Sequence, residues 1–338
     1  MDTNLILKNK QIREKRPLTD DNKKYSVYEN NGVLQICFKS IGCRYYLNGF
    51  CIMCDYGKGT NITKEELEKA FDEAISKSKY QVKILLLNSY GSILDNDEIS
   101  IECFYSLLNK LSKIDIKNII FETHYTTITE EKLLMIKEKL KNKKISFELG
   151  LESANKKIRE NYLLKNIDND LFIEKINLIH SFNMNVLTNI LIGTPFLSTK
   201  EQLDDSLNSI IWCFKNGVNE VDLFPINVKP YTLLKKLYDS NDYNVISHWL
   251  VIELLKRVPI EYLSNIYLAW YGNRELEYEN NEYTIFPSSC PKCYDDIMNF
   301  YKSFLANNDS IYRKNLINEL ITNTKGDCYE KVLKKIEF

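Results

Sequence analysis

Three cysteines lie within twelve residues, in the segment Cys43-Arg-Tyr-Tyr-Leu-Asn-Gly-Phe-Cys51-Ile-Met-Cys54. The Cys-x-x-Cys pair lets two sulfurs converge on one metal ion or on one face of a metal cluster. The longer excursion, which contains Gly49, lets a third sulfur arrive from another direction. The spacing therefore indicates a metal centre built on one loop.

The number of thiols favours an iron–sulfur cluster over zinc. A structural zinc ion needs four ligands, and the nearest further cysteine, Cys37, is placed by alternation inside a strand. Three cysteines on a [4Fe–4S] cluster leave one iron open for chemistry. The alternatives are a structural zinc site completed from elsewhere in the chain, or cysteines that bind nothing.

The chain around this loop alternates between strand-like and helix-like patterns. Capping boxes at Thr63 with Glu66, and at Thr127 with Glu130, predict the starts of two helices. Six strand-then-helix units in series predict an α/β fold with a parallel sheet, in the form of a barrel or partial barrel. The predicted strands cover 33–39, 82–88, 118–122, 145–151, 185–192 and 220–224. In such folds the chemistry lies on loops at the carboxyl ends of the strands.

Three regions follow from this pattern. Residues 1–30 are charged and predict a loosely held N-terminal arm, and residues 31–240 hold the strand–helix units. Residues 241–338 form a C-terminal region that is expected to cap the barrel. It contains a helix near 248–257, helices from about 295, and an aromatic stretch with Tyr262, Tyr267, Trp270 and Tyr271.

Composition excludes several classes of protein. The 338 residues carry 45 basic and 46 acidic side chains, and a protein that binds nucleic acid over its whole surface is normally far more basic. No apolar run approaches the ~18 residues of a membrane span. The polar N-terminus lacks the apolar centre of a signal peptide. We therefore expect a cytoplasmic protein whose nine cysteines are reduced.

The chain resembles the radical S-adenosylmethionine (SAM) superfamily, which carries three cysteines after the first strand of a partial (β/α)6 barrel. The commonest spacing there is Cys-x3-Cys-x2-Cys, whereas this chain has Cys-x7-Cys-x2-Cys. Longer first spacings occur in the branch of the elongator catalytic subunit and the archaeosine synthase radical subunit. The resembling segments include GCRYYLNGFCIMCDYG, LLLNSYGSILD, FETH, ELGLESANKKIRENYLLKN and LTNILIGTPFLSTKEQ. The resemblance implies a partial barrel with a mostly helical C-terminal extension, a [4Fe–4S] cluster on Cys43, Cys51 and Cys54, and SAM as the second cofactor.

The resemblance also implies which residues bind the amino-acid part of SAM. Asn88, Ser89, Gly91 and Ser92 occupy the place of a Gly-Gly-Glu motif that approaches the SAM ammonium. Lys165 stands where relatives have a basic residue near the SAM carboxylate. The alternatives are an ordinary Ser/Gly turn and a surface lysine.

The nucleoside part of SAM is expected to contact a second set of residues. Glu152 and Ser153 resemble a ribose-binding pair, and Tyr56 matches an aromatic position whose backbone meets the adenine. Ile190 and Gly193 would contribute an apolar surface to the adenine, with the glycine permitting close approach.

Glu122 and His124 end the third predicted strand and are the candidate catalytic residues. A histidine can donate or accept a proton near neutral pH, although a hydrogen-bonded structural histidine is an equal alternative. Related sequences often carry arginine at this position, so an arginine-dependent role is not expected here.

A second Cys-x-x-Cys pair, Cys290 and Cys293, lies near the C-terminus. It is able to join Cys328 or Cys213 around zinc or an auxiliary cluster, or to contact substrate. Because only two thiols are paired locally, a second iron–sulfur cluster is not expected.

The resemblance implies reductive cleavage of SAM to a 5′-deoxyadenosyl radical that abstracts hydrogen from a substrate. The branch suggests a C–N lyase step on a lysine-modified 7-deazaguanine, as a nucleoside or in tRNA. Alternatives are radical tailoring of a small metabolite or peptide natural product, and a non-catalytic zinc-stabilised binding module. A cluster with a reduction potential of about −400 mV or lower implies a flavodoxin or ferredoxin as electron donor. The near-neutral net charge implies that a partner protein would help to bind any tRNA substrate.

Overall fold

One eight-stranded sheet organises the computed structural model, which describes residues 2–16, 23–30, 32–56, 59–78, 81–269, 284–324 and 326–337. The strands follow one another in the sheet in the order of the sequence. They are β1 (Tyr25–Asn30), β2 (Val33–Phe38), β3 (Ile84–Ser89), β4 (Asn118–Thr123), β5 (Lys144–Glu152), β6 (Asn185–Ile192), β7 (Glu220–Pro225) and β8 (Ile266–Leu268).

All neighbouring strands from β2 to β8 are parallel, and β1 is antiparallel to β2 at the edge. The carboxyl ends of the parallel strands therefore lie along one rim of a curled half-barrel. The predicted α/β partial barrel is confirmed, and the six predicted strands are β2 to β7. The sequence did not indicate two further strands. β1 forms a β-hairpin with β2, and β8 has three residues.

Helices connect the parallel strands, as the crossover rule requires. The capping box predicted at Thr63 is present, but the one at Thr127 is wrong: Thr129 caps that helix by accepting from the amide of Lys132. The helices are α1 (Thr3–Glu14), α2 (Arg44–Leu47), α3 (Lys64–Ser76), α4 (Ile101–Lys113), α5 (Glu130–Lys139), α6 (Lys156–Asn161), α7 (Asn169–Ser181), α8 (Thr199–Lys215), α9 (Leu233–Asp239), α10 (His248–Arg257), α11 (Pro291–Ala306), α12 (Ser310–Thr322) and α13 (Cys328–Glu337).

Alternate residues of each strand face opposite sides of the sheet. One side packs against the helices through a continuous apolar core that includes Leu87, Phe121 and Phe147. The opposite side forms the barrel interior, and its residues near the rim are mostly polar. They are Asn88, Glu122, Glu148, Asn189 and Asp222.

The N-terminal segment is not the loosely held arm that its charge predicts. Residues 3–14 form α1, and Asn9 and Arg13 on that helix are buried. The expectation failed because these two polar side chains find buried carbonyl partners in the cysteine loop, which a count of charges cannot show.

The C-terminal region packs against the barrel through α10, α11, α12 and α13, whose apolar residues join the main core. The helix predicted near 248–257 is α10, and the last helices begin at Pro291 rather than near 295. Tyr267 lies in β8, whereas Trp270 and Tyr271 lie outside the described residues. The helices of the described part of the chain are too short or too polar to cross a membrane.

Candidate active site

The cysteine loop leaves the carboxyl end of β2 and is fixed by backbone hydrogen bonds. Cys43 caps the short helix α2, and Cys51 adopts a left-handed φ of 61°. The amides of Cys51 and Ile52 donate to the carbonyls of Leu164 and Leu163, at 3.0 and 3.1 Å. The loop is therefore held against the segment that follows β5, across the rim of the barrel.

Two side chains of α1 complete the support of this loop. Arg13 donates to four of its carbonyls: Nη1 to Tyr46 and Phe50, at 2.7 and 2.5 Å, and Nη2 to Cys51 and Cys54, at 2.5 and 3.1 Å. Asn9 Nδ2 donates to the carbonyl of Gly49 at 2.9 Å. A buried carbonyl without a hydrogen-bond donor lowers the free energy of unfolding. These donors therefore stabilise the observed conformation of the cysteine loop.

The three thiols suit a cluster better than a single ion. Three or more Cys, His, Asp or Glu side chains can share one metal ion when their ligand atoms all lie within 4.8 Å of one another. Among the described residues, such a group occurs in the C-terminal region and not in this loop. At least one pair of the sulfurs of Cys43, Cys51 and Cys54 is therefore more than 4.8 Å apart, whereas two sulfurs on one zinc ion, with Zn–S bonds of about 2.3 Å, are closer than this. In a [4Fe–4S] cluster each thiolate binds a different iron, so the sulfurs need not converge.

Burial opposes ionisation of these thiols when no metal is bound. It raises the pKa of Cys43 to about 12 and that of Cys51 to about 11, and neighbouring thiolates add to both effects. Lys165 and Arg13 act in the opposite direction on Cys51. A metal ion supplies the missing positive charge, so this donor set fits a bound cluster.

The turn after β3 packs directly on the first cysteine. A Cβ atom on Gly91 would lie 2.5 Å from the Cβ of Cys43 and 2.2 Å from a carboxylate oxygen of Glu98. Position 91 must therefore be glycine for the two loops to approach each other. Asn88 faces the interior and donates to Glu122 at 2.7 Å.

Glu98 fixes the shape of this turn and was not indicated by the sequence. Its buried carboxylate accepts from Ser40 Oγ at 2.7 Å, from Ser89 Oγ at 2.9 Å and from the amide of Ser92 at 2.9 Å. Burial raises its pKa, against the effect of these hydrogen bonds. Ser89 and Ser92 are thus engaged with Glu98, and the Ser92 hydroxyl also accepts from the amide of His124 at 3.0 Å.

Glu152 and Lys165 form an ion pair at the end of β5. Lys165 Nζ lies 2.7 Å from Glu152 Oε1 and 2.8 Å from the carbonyl of Gly150, and both side chains are 13% exposed. Burial alone would lower the pKa of Lys165 because it disfavours the charged form. The negative charges of Glu152 and, after it, of Cys51 outweigh burial, so the pKa of Lys165 is raised. Glu152 has a left-handed φ of 70°, a conformation that is uncommon for non-glycine residues.

Ser153 does not share this exposure. It is fully buried and donates to Asp205 of α8 at 2.7 Å. The hydroxyl therefore anchors the turn after β5 to the helix layer, and only Glu152 of the predicted ribose pair presents a partly exposed side chain.

His124 stacks between Tyr45 and Tyr125, with ring centroids 4.4 and 4.6 Å away. Its Nδ1 lies 2.7 Å from Thr126 Oγ1. Burial, followed by the charges of Lys165 and Arg44, lowers the pKa of His124 to about 3. The ring is consequently neutral near pH 7 and is not a ready proton donor there.

The predicted adenine residues lie on the neighbouring part of the rim. Ile190 is buried in the core on the helix side of β6, so that only its backbone is available to a ligand in the barrel. Gly193 has a φ of 100°, and a Cβ there would lie 2.6 Å from Ile246 Cγ2. The backbone amide of Tyr56 lies 3.5 Å from Cys54 Sγ. Lys229 Nζ lies 5.4 Å from the centroid of the Tyr56 ring.

No family model matches the chain. It is 30% identical over 271 residues to an uncharacterised protein of Methanocaldococcus jannaschii, and 74% of each chain is covered. It is 28% identical over 242 residues to the archaeosine synthase subunit beta of Methanosarcina acetivorans, which covers 67% of this chain and 68% of the relative. The crystal structure of methylornithine synthase matches the fold with a TM-score of 0.51 at 13% identity, over 82% of both chains. With the cysteine loop after the first parallel strand, these likenesses show that the chain belongs to the radical SAM superfamily, whose cofactors are SAM and a [4Fe–4S] cluster, in a branch that resembles the archaeosine synthase beta subunits.

Proposed function

We propose that this radical SAM enzyme is a C–N lyase that acts on a 7-deazaguanine base carrying a lysine-derived substituent. The similarity to archaeosine synthase beta subunits suggests this substrate class. The observation that carries the proposal is the acidic interior of the barrel. Glu122 accepts a hydrogen bond from Asn88 on β3 and pairs in register with Glu148 on β5, and Asp222 lies on the same side of the sheet.

Adjacent carboxylates favour a cationic or hydrogen-donating ligand. Glu122 and Glu148 are neighbours on parallel strands, so their carboxylates lie on the same side of the sheet, and ionised carboxylates accept hydrogen bonds without donating them. A guanine-type base presents N–H donors along one edge, and a lysine-derived substituent adds an ammonium group. Both suit this interior, whereas an anionic substrate does not.

The cofactors define the reaction class. Cys43, Cys51 and Cys54 would hold the cluster, which when bound supplies the electron that splits SAM into methionine and the hydrogen-abstracting 5′-deoxyadenosyl radical. Glu152 accepts hydrogen bonds from the ribose hydroxyls. Lys165, beside it, attracts the SAM carboxylate.

The chain's own groups then control water and protons. The tight contact of the Gly91 turn with Cys43 leaves no room for a side chain between this turn and the cysteine loop. His124 is neutral and acts as a hydrogen-bond acceptor or a packing group rather than as an acid. The acidic interior residues hold the amino groups of the substrate.

The reaction requires a reductant, for which we propose a flavodoxin or ferredoxin. The formal net charge of −1 gives the chain little general attraction for a polyanion. If tRNA is the substrate, a partner protein supplies most of the phosphate contacts. The alternative of a zinc-stabilised binding module is disfavoured by the wide spacing of the loop thiols.

Anaerobic mass spectrometry tests this function. The reconstituted chain is incubated with SAM, dithionite and a lysine-modified 7-deazaguanine nucleoside or a tRNA that carries it. We expect substrate-dependent 5′-deoxyadenosine and a base product of lower mass. Deoxyadenosine without any change in that base, together with turnover of a peptide or another metabolite in a parallel screen, would contradict the proposal.

The Glu152→Gln variant is expected to keep its cluster and to bind SAM more weakly. Loss of a hydrogen bond to a charged group costs about 1.5–3 kcal/mol, or roughly ten- to a hundredfold in affinity. Isothermal calorimetry measures this change. Glu160→Gln, which removes a carboxylate of a surface ion pair on the neighbouring α6, is the matched control. Equal SAM affinity in the two variants would contradict the assignment.

Neutralising the interior separates substrate binding from SAM binding. The Glu122→Gln/Glu148→Gln variant is expected to raise the KM for the substrate by about ten- to a hundredfold while SAM affinity stays within twofold. Steady-state kinetics and SAM calorimetry measure the two quantities. An unchanged KM would show that the acidic interior does not contact the substrate.

A further inference from the structure

A second group of three thiols lies in the C-terminal region, away from the cysteine loop. Cys290 caps α11, Cys293 lies in its first turn, and Cys328 begins α13. Their sulfurs are 3.5 Å (Cys290–Cys293), 3.0 Å (Cys290–Cys328) and 3.2 Å (Cys293–Cys328) apart. The fold thus brings together thiols that are up to 38 residues apart in the chain.

These separations suit ligands that converge on one ion. Four sulfurs at Zn–S distances of ~2.3 Å lie about 3.8 Å from one another in a regular tetrahedron, and the observed separations of 3.5, 3.0 and 3.2 Å are shorter, so that only a small outward movement of the thiols would admit the ion. A disulfide requires about 2.05 Å, and all three cysteines are free thiols. The loop cysteines of the active site do not converge in this way.

The surroundings of the triad offer the sulfurs a hydrogen-bond donor and the N-terminus of a helix. Trp249 Nε1 on α10 lies 3.2 Å from Cys328 Sγ, and because an indole N–H only donates, the sulfur is the acceptor. Cys290 and Cys293 lie at the N-terminus of the sixteen-residue helix α11, where the helix dipole stabilises negative charge. Hydrogen bonds of this kind to ligating sulfurs orient them and tune metal affinity.

Gly326, just before α13, lies against the three sulfurs. A Cβ on Gly326 would lie 2.8 Å from the sulfurs of both Cys290 and Cys293 and 3.4 Å from that of Cys328. The chain therefore passes so close to the sulfurs that no side chain fits at this position. Thr324 Oγ1 lies 3.7 Å from Cys293 Sγ on the same side.

We propose that Cys290, Cys293 and Cys328 bind one zinc ion that ties α11 and α13 together beside α10. Within the residues that the structure describes, no fourth cysteine, histidine or carboxylate joins the group. Zinc takes four ligands, so water or the hydroxyl of Thr324, 3.7 Å from Cys293 Sγ, completes the site. The close approach of the three sulfurs, rather than their number, distinguishes this site from the cysteine loop. The ion cross-links the C-terminal region, and this role is independent of the proposed reaction.

Metal analysis of the full chain tests the site without SAM or substrate. Zinc-supplemented, anaerobically reconstituted protein is dialysed against EDTA and measured by plasma mass spectrometry. We expect about four irons, by the usual count of one cluster, together with one tightly held zinc per chain. The Cys328→Ser variant is expected to keep the irons and to lose at least nine-tenths of the zinc. Cys213→Ser, which alters a buried cysteine outside the group, is the control and is expected to retain both metals.

A second measurement does not depend on how the variant folds. Stripping zinc from the wild-type chain with a stronger chelator is expected to lower the melting temperature, and added zinc to restore it. Absence of zinc from the wild type, equal zinc in Cys328→Ser and wild type, or about eight irons per chain falling to about four in Cys328→Ser would each overturn the proposal. The last result would indicate a second cluster instead.

Discussion

Replacing Cys43, Cys51 and Cys54 together by alanine is expected to abolish the brown chromophore and to reduce 5′-deoxyadenosine formation more than a hundredfold. The three thiols of the loop after β2 are the proposed cluster ligands, and without a cluster neither the electron nor the binding iron is available to SAM. Iron and sulfide assays and mass spectrometry measure the two effects.

The control is chosen from the other cysteines of the same chain. A Cys103→Ala/Cys213→Ala variant alters two buried thiols that lie on helices α4 and α8. It is expected to retain the full iron content and deoxyadenosine formation. A cluster that survives in the triple variant would sink the assignment, and a cluster lost equally in the control would show that the effect is unspecific.

Replacing Arg13 by methionine is expected to produce the second largest effect. The change keeps the length of the side chain but removes all four hydrogen bonds to the cysteine loop, whose carbonyls remain buried. An unsatisfied buried polar group costs about 1–3 kcal/mol, so a loss of several kcal/mol is concentrated on one loop. We expect less than half of the wild-type iron after reconstitution and a lower melting temperature.

Two further variants distinguish loop support from a general effect of charge. Arg13→Lys retains the positive charge but, with one compact ammonium, cannot reproduce the planar set of donors, so we expect an intermediate iron content. Lys8→Met removes an exposed charge from the same helix and is expected to behave as wild type. If Arg13→Met and Lys8→Met retained equal iron, α1 would have no part in holding the cluster.

The sequence was most informative where periodicity and spacing report local physics. The apolar runs of β3 and β6 predict strands within two residues of the observed ends, since strands of a parallel sheet that are buried on both faces are nearly continuously apolar. The segment from Cys43 to Cys54 predicts a metal loop without reference to the fold. β1 was missed because its residues are mostly polar, although its partner β2 follows directly. α1 was missed because its stability comes from partners far along the chain.

The same distinction applies to the site. Glu98, Arg13 and Cys328 act through contacts with residues that are distant in sequence, and nothing around them in the sequence signals the partner. Cys328 is 35 residues from Cys293, so a count of neighbouring thiols underestimates the cluster of sulfurs that folding creates. Ser153, in contrast, matched a motif but is turned into the helix layer by its bond to Asp205.

Asn9 has a consequence for the order in which the protein is assembled. Its side chain joins two parts of the chain, because Nδ2 donates to Gly49 while Oδ1 accepts from the amide of Leu233, which is 224 residues further on. Contacts of such long range form slowly, because closing so long a loop costs conformational entropy, and this one cannot form before Leu233 has been synthesised. During synthesis the metal loop therefore remains without its full support until α9 has emerged. Cluster insertion into a nascent or partly folded chain is consequently disfavoured, and delivery of iron and sulfide should follow, not precede, closure of the barrel.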